Sequence, residues 1–208
     1  MPPSSDQVAL FVVRHGQTVL NADGRFRGNV NPELDATGIK QAEALKKFFA
    51  DIPLCAIFSS DKQRATKTAD ILSQGTGVPV HTSANLCALD VGNLSGQKRS
   101  KENVELLQSY LKNPDCPIPA GESLNQFRQR VDPCIREAIH IFMECGVPAM
   151  IVAHSSVVRE VGHLLMGDQK KVLVQPGGVI AVYLQNGQLS AKPILKPLVV
   201  KSEADTIS

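Results

Sequence analysis

The stretch Val8-Ala9-Leu10-Phe11-Val12-Val13-Arg14-His15-Gly16 decides the fold. An apolar, β-branched run of strand length ends abruptly in arginine, histidine and glycine. A continuous apolar run is the mark of a strand buried on both faces of a parallel sheet. Such sheets bind ligands just beyond the carboxyl ends of their strands. The sequence therefore puts Arg14 and His15 where such a fold builds a site. Ala149 to His154, AMIVAH, repeats the pattern. Ser155 and Ser156 follow as a helix start, and a helical stretch containing Arg159 runs to Met166. If the two strands lie parallel and close, His15 and His154 face one pocket.

Between these strands the chain alternates helix and strand. His15 to Asp35 reads as a long polar loop, and a loop of this length in a compact domain is usually functional. Its arginines are Arg25 and Arg27. Thr37 to Asp51 is an amphipathic helix with Thr37 as N-cap. Leu54 to Phe58 is a short strand ending in Ser59, Ser60 and Asp61. Gln63 to Ser73 is a helix with Arg64 in its first turn, again just past a strand end. Val78 to Thr82 is a further short strand, and Leu86 to Arg99 is a loop. A helix follows over Lys101 to Leu111, then a proline-punctuated stretch to Gly121. Ser123 opens a long helix through a capping box with Gln126, so it reads as a cap rather than a nucleophile. Pro133 is expected to kink or break that helix. His140 and His163 read as structural. Val179 to Ile194 is a hairpin turning at Asn186-Gly187. The expected whole is one α/β domain over residues 1–208. It has a mainly parallel sheet flanked by helices in three layers, a helical insertion over the site at 97–121, and a loose tail at 198–208.

Composition narrows the function. With 208 residues, 43% hydrophobic, 20% charged and a net charge of +2, the chain suits a globular domain with a full core. The near-neutral balance argues against nucleic acid as a partner. So does the lack of tryptophan, with only two tyrosines for stacking. No apolar run has membrane-spanning length, so no membrane partner is expected. MPPSSDQ lacks the basic and apolar parts of a signal peptide. Five scattered cysteines fit neither a zinc site nor a disulfide framework. Reduced thiols and a cytoplasmic location are expected, with no metal and no cofactor.

A neutral imidazole can attack phosphorus and form a phosphohistidine. Such transfer needs fixed cations around the phosphoryl oxygens, and the arginine fork suits them. Arg14, Arg64 and His154 are candidates for that clamp around His15.

Here the residues carry a family resemblance. Arg14-His15-Gly16-Gln17-Thr18 with Asn21 resembles the signature of the histidine phosphatase superfamily (phosphoglycerate mutase-like). Phe26-Arg27-Gly28, Thr37-Gly38 and Gln41-Ala42 resemble its next block. Ser59-Ser60-Asp61 with Arg64-Ala65 and Thr68-Ala69 resembles its second-arginine motif. Gly121-Glu122-Ser123 with Arg130 resembles its central motif, and Ala153-His154 with Arg159 its second-histidine motif. The resemblance implies a nucleophile at His15 and a phosphate pocket of Arg14, Arg64 and His154. It adds substrate contacts from Gln17, Thr18, Asn21, Arg27, Gly28 and Ser155, with Glu122 structural.

The chain departs from its relatives at several points. Arg27 stands where many carry Gln or Ser, and Ser155-Ser156 replaces a pair that often contains glycine. The resemblance places the acid that protonates the leaving group at Ala88, which cannot donate. Asp90 is the nearby carboxylate, with two readings: a replacement acid, or a turn acceptor. The implied function is a metal-independent phosphomonoesterase acting on a sugar phosphate, nucleotide monophosphate or cofactor precursor. A phosphoglycerate-type mutase and a weakly catalytic phosphate-ligand or protein-binding module are the alternatives. Expected partners are a small phosphorylated substrate and, as an open possibility, a second copy in a homodimer.

Overall fold

Strand β1 (Gln7–Arg14) runs through the middle of a six-stranded sheet of order β3-β2-β4-β1-β5-β6. The computed structural model describes residues 7–28, 30–167, 172–185 and 188–195. Beside β1 lies β4 (Ala149–Ala153), parallel to it, with Val13 opposite Val152 and Arg14 opposite Ala153. β2 (Ile57–Ser60) and β3 (Val80–Ser83) extend the parallel part. β5 (Val179–Gln185) and β6 (Gln188–Leu195) form the hairpin and add the antiparallel edge. Its expected turn residues, Asn186 and Gly187, lie outside the described residues, as does the 198–208 tail.

Both faces of β1 and β4 are covered, which is why their sequences are continuously apolar. Leu10, Val12 and Ile151 face one layer, where they meet Phe127, Val131 and Ile135 of α5 (Leu124–Cys145) and Val157 and Val161 of α6 (Ser155–Met166). Phe11, Val13, Met150 and Val152 face the other. There they meet Leu45 and Phe49 of α2 (Ala36–Phe49) and Ala65, Ala69 and Leu72 of α3 (Gln63–Ser73). Strand side chains alternate between faces, so one apolar run feeds two cores. Truncating a fully buried leucine such as Leu10 to alanine costs about 2–5 kcal/mol.

Several sequence expectations need correction. The 15–35 segment contains a single helical turn, α1 (Val19–Ala22), which an isolated polar pattern does not reveal. The cap of α2 is Asp35, whose Oδ1 accepts the Gly38 N–H at 2.8 Å; Thr37 already lies inside the helix. β2 begins later than expected and includes Ser59 and Ser60, both fully buried. Their hydroxyls find partners, Ser59 Oγ donating to the Ser60 carbonyl at 2.9 Å, so a polar pair continues the strand. β3 likewise starts after Pro79 and ends at Ser83. The 86–99 loop holds a 3-10 turn at Gly92–Leu94.

Pro133 does not break α5, which runs continuously from Leu124 to Cys145. Pro133 sits on the exposed face, where water can satisfy the carbonyl that proline leaves unpaired. The opposite stripe of Phe127, Val131, Ile135, Ala138 and Phe142 is buried and anchors the helix on both sides of Pro133. Ser123 caps this helix as expected, with Ser123 Oγ accepting from Gln126 N at 3.1 Å and Gln126 Oε1 from Ser123 N at 2.8 Å. The helix α4 (Lys101–Leu111) is capped by Ser100, whose Oγ accepts the Asn103 N–H.

Candidate active site

The carboxyl ends of β1 and β4 bring His15 and His154 together, with ring centroids 5.2 Å apart. His15 stays in the ladder, its N–H donating to the Ala153 carbonyl at 2.9 Å. Its ring Nδ1 lies 2.6 Å from the Gly16 carbonyl. A carbonyl only accepts, so Nδ1 carries the proton and Nε2 of the neutral ring keeps its lone pair. Nε2 is buried and has no partner. Burial holds the His15 pKa well below the usual histidine value, with His154, Arg64, Arg27 and Arg14 adding to the shift. The ring is therefore neutral at physiological pH.

Arg64 projects from the first turn of α3 and is fully buried. Its Nη1 donates to the Val30 carbonyl at 2.9 Å, while Nε and Nη2 are buried without partners. Arg14 Nη1 donates to the Val174 carbonyl at 2.7 Å, and its Nε is likewise unpartnered. Burial, then Arg27, lowers the Arg14 pKa to about 9 and that of Arg64 to about 10. Both stay charged at neutral pH, in a setting that an anion would relieve. His154 places Nε2 2.8 Å from Ser60 Oγ and leaves Nδ1 buried and unpaired. Buried polar atoms are almost always paired. Among the described residues, five of the eight unpaired ones belong to Arg14, His15, Arg64 and His154.

The neighbouring segments hold this arrangement. The Gly16 N–H donates to Thr68 Oγ1 at 3.2 Å, and Thr68 donates to the Arg64 carbonyl at 2.7 Å, tying the loop to α3. A Cβ at Gly16 would lie 2.4 Å from the Gly38 carbonyl oxygen, so backbone packs directly on backbone. Gln17 donates to Asp35 and Gln41. Thr18 and Asn21 bond each other, with Asn21 Oδ1 accepting from Thr18 N and Oγ1 at 3.1 and 2.9 Å. Of the expected substrate contacts, Gln17, Thr18 and Asn21 thus have structural partners. Arg27, Gly28 and Ser155 line an open cleft of about 640 Å³, together with His154.

The 85–92 loop forms another wall of the cleft. Arg130 holds it by donating to the carbonyls of Asn85, Cys87 and Ala88, and it also pairs with Glu122. Ser156 Oγ accepts the Leu89 N–H at 3.0 Å. Ala88, Leu89 and Val91 line the cleft. Asp90 Oδ1 accepts the Gly92 N–H at 2.9 Å, the turn bond of its second reading. Ser156, singled out with Ser155 in the sequence, does line the cleft, whereas sequence reasoning missed the outer cleft residues Arg99, Phe127, Arg128 and Glu160. Their only signal was position: one helix turn past His154, or on the segments after Gly96. His163, expected to be structural, also lines the cleft, whereas His140 pairs with Glu144 on the surface.

Residues 10–188 match the profile of the histidine phosphatase superfamily, branch 1. A Klebsiella pneumoniae protein named "Probable phosphoglycerate mutase GpmB" is 30% identical over 151 residues, 70% of this chain and 68% of its own. A Hydrogenobacter thermophilus protein named "Putative phosphoserine phosphatase 2" is 28% identical over 162 residues, 76% of this chain and 78% of its own. The crystal structure of phosphoglycerate mutase from Bacillus anthracis superposes with a TM-score of 0.77 at 22% identity, covering 91% of this chain and 94% of that one, a likeness of fold. The chain belongs to the histidine phosphatase superfamily.

Proposed function

We propose that the protein is a phosphomonoesterase that works through a phosphohistidine on His15. One observation carries the reading. Arg14 Nε, Arg64 Nε and Nη2, His154 Nδ1 and His15 Nε2 are all buried and unpartnered around the ends of β1 and β4. The first four suit the oxygens of a phosphoryl group, and the fifth is a lone pair for its phosphorus.

In this reading His15 Nε2 attacks phosphorus, a P–N bond forms, and the ester P–O bond breaks with its electron pair going to the leaving oxygen. Water then attacks the phosphohistidine, loses its proton, and returns the electron pair of the P–N bond to Nε2. Arg14, Arg64 and His154 hold the charge of both transition states. Arg27, Gly28 and Ser155 border the ester group, while Gln17, Thr18 and Asn21 shape the loop behind it. Ala88 offers no proton at the acid position. A leaving group that departs readily as the anion, or takes its proton from water, fits this wall; in Asp90, Oδ1 accepts the Gly92 N–H, so a donated proton would come from Oδ2.

The reaction is proposed to run without a metal. A pocket built from guanidinium groups repels a divalent cation, and no grouping of metal-ligating side chains occurs among the described residues. Activity that survives a chelator supports this; loss restored by one metal overturns it.

Brief incubation with an activated aryl phosphate, quenching without acid and mass spectrometry of peptides test the intermediate. Phosphate on His15 is the expected result. Turnover with phosphate elsewhere, or nowhere, overturns it. Ala88 favours a second reading, a phosphate-ligand binding module, which predicts saturable binding of inorganic phosphate with neither turnover nor labelled His15.

A further inference from the structure

Cys55 and Cys145 stand 90 residues apart in sequence and meet in the fold. Cys55 lies just before β2, and its N–H donates to the Pro148 carbonyl at 3.0 Å. The Met150 N–H donates to the Ala56 carbonyl at 2.9 Å. The pairing of β2 with β4 thus runs back past the strand starts to Cys55. The Cys55 side chain packs against the core on the α5 side of the sheet. Cys145 is the last residue of α5, and Gly146 turns the chain from it toward Pro148 with a left-handed backbone, φ 71°. The Cys145 sulfur folds back over that turn, 3.4 Å from both the nitrogen and the carbonyl oxygen of Val147. The two side chains reach one place from two directions, and their thiols are hydrogen-bonding neighbours.

The other three cysteines are placed differently. Cys87 engages Asp61 and Ser60, Cys116 lies beside the Pro117 carbonyl, and Cys134 bonds back to the Arg130 carbonyl within α5. All five thiols are free. Among the described residues no third ligating side chain joins Cys55 and Cys145, so their chemistry is that of two thiols. They differ in access: Cys145 is exposed and Cys55 half-buried. Burial first, and then Cys145, pushes the Cys55 thiol up. The exposed sulfur is the one a reagent reaches, and the sheltered one stands beside it to resolve what forms there.

We propose that Cys55 and Cys145 are a redox-modification site, oxidised by a small-molecule disulfide of the glutathione class to an intramolecular disulfide that a free thiol reverses. In the first step Cys145 loses its proton to solvent and its sulfur attacks one sulfur of the reagent. The reagent's S–S bond breaks, and its electron pair leaves on the other sulfur as a thiolate. In the second step Cys55 loses its proton and attacks the Cys145 sulfur, displacing the second thiolate. Both released thiolates take up a proton, so the two cysteines give up two electrons and the reagent gains them. The bond ties the last residue of α5 to the entry of β2, at the end of the sheet opposite His15 and His154. It also closes a long loop in the unfolded chain, which disfavours unfolding. The site stands independently of the phosphatase reading.

The test incubates the whole protein with excess oxidised glutathione, blocks remaining thiols by alkylation and maps peptides by mass spectrometry without reduction. A Cys55–Cys145 linked peptide in monomeric protein is expected, and dithiothreitol should abolish it. The linked protein should melt several degrees above the reduced one. Cys55→Ser should stop the reaction at a glutathione adduct on Cys145. Cys145→Ala should give no intramolecular link; it replaces an exposed side chain, so it reads the same step even if Cys55→Ser fails to fold. No reaction at either cysteine, a wild-type adduct on Cys145 that never closes, or a link to another cysteine or between chains overturns the proposal. So does a linked protein that melts no higher than the reduced one, because the bond then forms outside the native fold.

Discussion

His154 Nε2 lies 2.8 Å from Ser60 Oγ, and Ser60 Oγ in turn reaches Cys87 Sγ at 3.5 Å. The serine has one proton for two neighbours. Cys87 gives its own proton to Asp61 Oδ1 at 2.9 Å, and its sulfur is the weaker acceptor. Ser60 therefore donates to Nε2, and the imidazole proton sits on Nδ1, free to bind a phosphoryl oxygen. Ser60→Ala is expected to lower kcat by up to about tenfold, the worth of one hydrogen bond. Nitrogen NMR of the labelled protein distinguishes this role from packing. The His154 proton should lie on Nδ1 in the wild type and shift toward Nε2 in the variant. A wild-type ring already protonated on Nε2 would refute the relay.

The two buried histidines set an acid limit on stability. Burial is the leading cause that holds both pKa values well below the usual value near 6.5. An unfolded histidine takes up a proton at about pH 6.5, while the folded ones do not. The stabilising effect is complete above that pH and is lost as pH falls toward the folded values. Each ring weakens the fold by up to about 1.4 kcal/mol per pH unit in that window. Urea unfolding at pH 7.5 and pH 5.5 should show the loss, and His154→Asn should reduce it. An equal loss in the variant removes His154 from the account.

Arg64→Ala is expected to lower kcat/KM by an amount equivalent to about 3 kcal/mol, as for loss of a fixed transition-state donor. Arg25→Ala should cost far less. Arg25 donates to the Gly96 carbonyl and lies 3.9 Å from Asp23 on the surface, so it braces a loop. Steady-state kinetics on one substrate compares them, and similar small losses would take Arg64 out of the clamp.

Asp90 is tested by two leaving groups. If its carboxyl donates, Asp90→Asn slows an alkyl phosphate by about 10²- to 10⁴-fold and spares an activated aryl phosphate. The turn bond to Gly92 predicts the other pattern, a similar modest change with both substrates and a lower melting temperature.

The parallel core was legible because β1 and β4 are apolar on both faces, and the limits of α3 and α4 coincide with the sequence reading. The juxtaposition of His15, Arg64 and His154 was legible because each sits at a strand end or the helix start after it. The boundaries that slipped did so for different reasons. Ser60 extends β2 by pairing with Ser83 of β3, its hydroxyl meeting His154, and Asp35 displaces Thr37 as cap because its carboxylate reaches Gly38 three residues on. That Arg99 and Arg159 line one cleft was hidden because they lie 60 residues apart in sequence.

Helix α4 supplies no strand to the sheet and buries none of its residues fully. Its segment hangs from backbone ties at either end, Phe26 to Gln97 and Arg99 to Gly24 on one side, Asn125 to Pro114 on the other. The proposed clamp draws instead on β1, α3, β4 and the loops beside them. Val104, Leu107, Tyr110 and Leu111 nevertheless pack against the core that holds Leu10, Val12 and Ile151. On the proposed function, the outward face of α4 is therefore the part free to vary, while its inward face is tied to the strands that carry His15 and His154.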